Sequence, residues 1–178
     1  RGLGDVYKRQ GLVIAAFLGW KAFVAVALYA LLASAYSLLL KRRLLLDVFA
    51  LAGLYTMRPV IGGAATGIFL SPMLTAFCVF FFGSLAFLKR FIELRASFAA
   101  GTTEQLPGRG YHPEDVAAIG VAGPVTGIAA VLVIAMYLSS PIVPLIYTQP
   151  LWLWAWCPLM AYWILRVWIL AGRGSLHH

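Results

Sequence analysis

Residues 22–40 read AFVAVALYALLASAYSLLL, nineteen positions without a charge, and the next three are Lys41, Arg42 and Arg43. A bilayer core about 30 Å thick is crossed by about 20 helical residues rising about 1.5 Å each, so this run has the length of one span with a cationic border. Further along lie four more apolar windows of the same order: 44–64, roughly 70–88, 116–138 and 151–170. The chain of 178 residues is 62% hydrophobic and only 11% charged, with a mean hydropathy of +0.89. Soluble domains do not have this composition. The expected fold is an all-α integral membrane protein, a multi-span helical bundle of about five full transmembrane helices plus a partial one. The partial span is 11–18, whose eight apolar residues would cover only about 12 Å as a helix. It reads as the tail of a helix whose beginning is missing. Residues 1–10, RGLGDVYKRQ, are polar and lack an initiator Met. They read as a non-native stub and leave 11–178 as one membrane domain.

The connections between these windows alternate in charge. One side carries Lys41, Arg42, Arg43, Lys89, Arg90, Arg95, Arg109, Arg166 and Arg173; the other carries Lys21 alone. Nine basic residues against one predict that the first side is cytoplasmic, in a bacterial-type inner membrane. The formal charge of +8 therefore points to membrane topology and not to nucleic acid, because the cations lie between apolar runs. Trp152, Trp154 and Trp156 open the last span from the opposite side, where interfacial aromatics belong. Cys78 and Cys157 lie inside apolar runs and read as buried free thiols, and no Cys/His metal spacing is present. GAATG (63–67) and GPVTG (123–127) are small-residue patterns that allow helices to approach closely. Pro59, Pro124 and Pro158 are expected to kink or break their helices. HPEDV (112–116) reads as a helix start, with Glu114 and Asp115 facing the positive end of the dipole.

Charge at or inside the membrane marks three candidate regions. The turn Lys41–Arg42–Arg43, followed by Asp47, reads either as a topological anchor or as a phosphate cradle at the cytoplasmic rim. Arg58 lies fourteen residues beyond Leu44, about 21 Å along its helix, where a guanidinium calls for a polar interior or a partner. Eleven residues separate Asp47 from Arg58, close to three turns, so both occupy one helix face about 16 Å apart. The third region is AFLKRFIELR (86–95). Lys89 and Glu93 are spaced for an i,i+4 ion pair, with Arg90 alongside. A carboxylate among cations at a membrane border has a second reading, as a ligand for a divalent ion that bridges phosphate oxygens.

Five segments in this order resemble the UbiA-type prenyltransferase superfamily: YSLLLKRRLLLDV (36–48), YTMRPVIGGAATG (55–67), FLKRFIELR (87–95), GRGYHPEDV (108–116) and YTQPLWLWAWCPLMAYWILRVWILAGRG (147–174). The resemblance lies nearest the decaprenyl-phosphate phosphoribosyltransferase-like branch, and it covers nearly everything after the stub. It implies a nine-helix bundle with a cytoplasm-facing cavity, of which this chain is a C-terminal fragment. It also implies a Mg²⁺-bound diphosphate at the polar end of that cavity and a polyprenyl chain running toward lipid. The family's first Asp-rich motif, which would supply the main Mg²⁺ ligands, lies outside the chain, so the fragment alone is expected to be inactive. Where the family carries a second acidic motif, this chain has LKRFIELR, with Glu93 as its one acid. Fewer carboxylates and more cations point to direct phosphate binding.

On this basis Lys41, Arg42, Arg58, Lys89 and Arg90 are the expected phosphate contacts. Asp47 and Glu93 are metal-touching or orienting acids, and Tyr36 and Tyr111 are donor contacts. The expected function is prenyl transfer from a polyprenyl (di)phosphate. The alternatives are phosphoribosyl transfer onto a polyprenyl phosphate and, from another class, a non-catalytic membrane protein or transporter. The expected partners are membrane lipid and the polyprenyl substrate, and the sequence carries no signal of oligomeric state.

Overall fold

The computed structural model describes residues 20–68, 70–99, 110–112 and 114–175. The expected stub, the partial span 11–18 and Arg109 lie outside the described residues. Helix α1 is Trp20–Leu38, α2 Leu46–Thr66, α3 Pro72–Ala99, α4 Asp115–Leu138, α5 the single turn Val143–Ile146, and α6 Trp156–Gly172. Short 3₁₀ turns, Leu40–Arg42 and Pro150–Ala155, precede α2 and α6. No strand occurs among the described residues. Five segments are long and apolar enough to cross a bilayer: Phe23–Arg42, Leu46–Thr66, Pro72–Ser97, Asp115–Leu138 and Pro150–Gly172. This fits the all-α membrane bundle expected from the apolar windows.

Helix α3 is central and packs on α2 and α4, while α1 lies against α2 and α6 against α4. It runs on to Ala99 instead of stopping near residue 88, because cations end a membrane segment without ending a helix. In this extension Leu88, Phe91 and Leu94 are buried while Lys89 and Arg95 are exposed. The extra turns therefore keep an apolar stripe of i, i+3 spacing against the bundle. The main core gathers at the same end, where Val48, Phe87, Phe91, Leu94, Ile164 and Trp168 pack together.

The two small-residue motifs do different things. In GPVTG, the Trp168 ring lies directly against Gly123, and Ile164 and Ser84 lie against Gly127. The Ser84 hydroxyl donates to the Gly123 carbonyl (2.8 Å), and the Trp168 indole N–H donates to Ser84 Oγ (3.1 Å). The motif thus joins α3, α4 and α6, as a small-residue pattern should. GAATG instead ends α2. Gly67 is left-handed (φ 74°), and the N–H groups of Gly67 and Ile68 both donate to the Gly63 carbonyl. The space at Gly63 is filled by Ile68 and Leu70, from the turn itself. A glycine at this position is a helix stop because it reaches a positive φ without strain.

None of the three prolines breaks its helix. Helices α2 and α4 run through Pro59 and Pro124, and Pro158 is the third residue of α6. A proline inside a packed membrane helix removes one hydrogen bond without ending the helix. One in the first turn removes a donor that has no partner within the helix. The start of α4 behaves as read: the His112 N–H donates to the Asp115 carboxylate at 2.9 Å.

Candidate functional site

The antiparallel course of the helices brings five chain segments to one end of the bundle. These are the end of α1, the turn Leu40–Arg42, the start of α2, the last turns of α3, and residues 110–112 ahead of α4. Asp47 enters from the first turn of α2 and Arg90 from α3, and both are fully buried. The guanidinium is held on three sides. Its Nε pairs with Asp47 Oδ2, as a close ion contact and not an aligned hydrogen bond. Its Nη1 pairs with Glu93 Oε2 one turn on, and its Nη2 donates to the Tyr36 hydroxyl at 3.2 Å. The other Asp47 oxygen, Oδ1, accepts from the Tyr111 hydroxyl. That hydroxyl in turn accepts the Leu45 N–H at 3.1 Å. Burial of these charges is tolerable only because each is paired and hydrogen-bonded.

Tyr111 lies outside the spans. Burial, reinforced by the bond to Asp47, pushes its phenol above the ordinary tyrosine value. The hydroxyl therefore remains protonated, and remains a donor, across the neutral range.

Tyr36, Asp47, Arg90, Glu93 and Tyr111 thus form one network. The expected phosphate contacts do not share a single position. Arg90 lies among carboxylates instead of facing outward, because a buried guanidinium draws the nearest acids. Glu93, spaced for Lys89, pairs with Arg90. Lys89 and Arg42 are exposed and Lys41 is half-buried, at the same end as the network. Arg58 is exposed on α2, with its guanidinium 4.7 Å from the centre of the Tyr55 ring, which stacks on Phe82 at 5.5 Å. At about 16 Å along the axis from Asp47 it is too far to share one diphosphate with Arg90.

The described residues do not by themselves make a Mg²⁺ site. Asp47 and Glu93 both face the Arg90 guanidinium, and no group of three His, Cys, Asp or Glu side chains gathers among the described residues. Two backbone elements of the site went unread in the sequence. Leu45 is the one non-glycine residue with positive φ among the described residues. Gly110 lies against the backbone of Arg42 and Leu44, where a Cβ would come within 2.9 Å of both the Arg42 oxygen and the Leu44 nitrogen. The glycine beside Tyr111 in GRGY was the available signal.

The chain is similar to two curated proteins. One is the uncharacterized protein y4nM of Sinorhizobium fredii, 34% identical over 169 residues, which covers 94% of this chain and 32% of that protein. The other is the nodulation protein NoeC of Azorhizobium caulinodans, 31% identical over 171 residues, which covers 93% of this chain and 54% of that protein. The chain therefore spans about a third and about half of the length of these relatives. No family model and no solved structure matches it.

Proposed function

We propose that this chain is part of an integral-membrane transferase of the UbiA prenyltransferase type. It would act on a polyprenyl phosphate or diphosphate at a site facing the cytoplasm, in an inner membrane. The observation that carries this reading is the Asp47–Arg90–Glu93 network, tied to Tyr36 and Tyr111 and bordered by Lys41, Arg42, Arg43 and Lys89. Buried ionisable groups in a membrane helix are costly and mark function by default. The border cations supply what a leaving diphosphate needs, positive charge fixed where negative charge develops.

Two reactions use such a site. In prenyl transfer the C1–O bond of the polyprenyl diphosphate breaks, the acceptor bonds to C1 and loses a proton, and diphosphate leaves. In phosphoribosyl transfer an oxygen of the polyprenyl phosphate bonds to C1 of the ribose, and diphosphate again leaves. The second is favoured by the engagement of Asp47 and Glu93 with Arg90, which leaves the border cations to meet phosphate directly. Mg²⁺ belongs to either reading only through the family resemblance.

The test is to incubate membranes carrying the full-length protein with labelled polyprenyl phosphate plus phosphoribosyl diphosphate, and separately with labelled polyprenyl diphosphate plus an aromatic acceptor. A lipid-linked sugar phosphate in the first supports phosphoribosyl transfer, and a prenylated acceptor in the second supports prenyl transfer. Product in neither overturns the transferase reading in favour of a non-catalytic membrane protein or a transporter.

A further inference from the structure

We propose that Tyr111 is a positioning residue whose hydroxyl fixes the backbone of the basic turn and so sets where Lys41, Arg42 and Arg43 stand. The consequence for substrate binding rests on the transferase reading above; the mechanical claim does not.

Leu45, the residue before α2, has φ 61° and ψ −36°. A side chain with a β-carbon is strained there, so something must hold it. The restraint comes from far along the sequence. The Leu45 N–H donates to the Tyr111 hydroxyl at 3.1 Å, across 66 residues. The same oxygen gives its proton to Asp47 Oδ1, two residues past the strained position. One hydroxyl thus grips the turn at both ends of the Leu45–Asp47 step, once as acceptor and once as donor. Tyr111 is fully buried, so water does not compete for either bond. Gly110 completes the grip by lying flat on Arg42 and Leu44, an approach that a β-carbon would prevent. Through the other Asp47 oxygen the hydroxyl is coupled to Arg90, and through Arg90 to Tyr36 on α1. Residues ahead of α4, Gly110 and Tyr111, therefore dictate the geometry of the turn between α1 and α2.

Removing only the hydroxyl, as Tyr111→Phe, should release the turn, and Leu45→Gly should remove the strain the hydroxyl resists. The experiment compares wild type, each single variant and the double variant of the full chain in lipid nanodiscs, under limited trypsin. Mass spectrometry follows cleavage after Lys41, Arg42 and Arg43, with cleavage after Arg173 as the internal control. Tyr111→Phe removes both bonds and is expected to speed cleavage of the turn by at least roughly tenfold, the equilibrium effect of losing even one buried hydrogen bond, with Arg173 unchanged. In the Leu45→Gly background the same substitution should have a clearly smaller effect. In the transfer assay it should raise KM for the phosphorylated substrate more than it lowers kcat.

Equal cleavage in wild type and Tyr111→Phe overturns the proposal, as does an equal effect of Tyr111→Phe in both backgrounds. Faster cleavage with an unchanged KM overturns the positioning role. A wild-type protein without transferase activity sinks the function reading alone, because the cleavage series still decides whether the hydroxyl holds the turn.

Discussion

The two ends of this bundle are built on different terms. At the basic end Asp47, Arg90, Tyr111 and Ser84 are buried and partnered, and the main core packs around them. At the other end the helices part. An apolar groove of about 450 Å³ opens beside Val60, Ala64, Gly67 and Leu70, and another of about 270 Å³ opens beside Met73, Phe77, Ile134 and Tyr137. A polar group away from water must be met by a specific partner in a specific place. An apolar wall is satisfied by any hydrocarbon, lipid included. Polar burial therefore demands closure at the basic end, and the apolar walls of the two grooves make no such demand at the other.

If that contrast is right, the ends should respond unequally to substitution. Asp47→Ala leaves the Arg90 guanidinium buried beside a missing partner and should cost about 3–5 kcal/mol, read by unfolding in detergent. Restoring much of that loss in Asp47→Ala/Arg90→Leu would show that the cost lies in the orphaned charge. Gly123→Ala drives a methyl group into the Trp168 ring and should lose about 1–3 kcal/mol in the same measurement. A smaller effect comes from pH. The folded protein holds the Tyr111 phenol above its ordinary value of 10.0, so the unfolded chain gives up that proton first. Stability is then constant in this respect below about pH 10 and falls as pH rises beyond it, by about 1.4 kcal/mol at pH 11. Unfolding measured at pH 9 and pH 11 should show a steeper fall in wild type than in Tyr111→Phe, by about that amount. The least effect belongs to the open end. Nothing lies within 4 Å of a β-carbon built on Gly62, so Gly62→Ala should be neutral or stabilising by up to about 1 kcal/mol. A large loss there would erase the distinction between the ends.

The spans were legible because two lengths constrain them, the rise of a helix and the thickness of a bilayer. The windows 22–40 and 116–138 fall within two residues of Trp20–Leu38 and Asp115–Leu138. The tail of α3 was not, since hydropathy reports where lipid ends and not where hydrogen bonding ends. Asp47, Arg90 and Glu93 stood out as charges in an apolar chain, along with Lys41, Arg42, Arg58 and Lys89, which are not in the network, whereas Tyr36 and Tyr111 were named only with the family resemblance. The pairing within the network was hidden. Asp47 meets Tyr111 across 64 residues, and Arg90 meets Tyr36 across 54. Local spacing favoured Lys89 as the partner of Glu93, although i,i+3 and i,i+4 neighbours both lie within reach on a helix. Which of them wins depends on Asp47, which fixes Arg90 from another helix. The shared face of Asp47 and Arg58 was inferred from a straight helix alone. Its first turn meets the Arg90 guanidinium, whereas Arg58, three turns on, is exposed.

The indole of Trp168 has an optical consequence. The chain holds six tryptophans, and Trp20, Trp152, Trp154, Trp156 and Trp163 are all exposed, while Trp168 is shielded and bonded to Ser84. Quenchers dissolved in the aqueous phase or carried on lipid tails will silence the five and spare the one. The light that survives comes from the junction of three helices, a fluorescent gauge that needs no added dye.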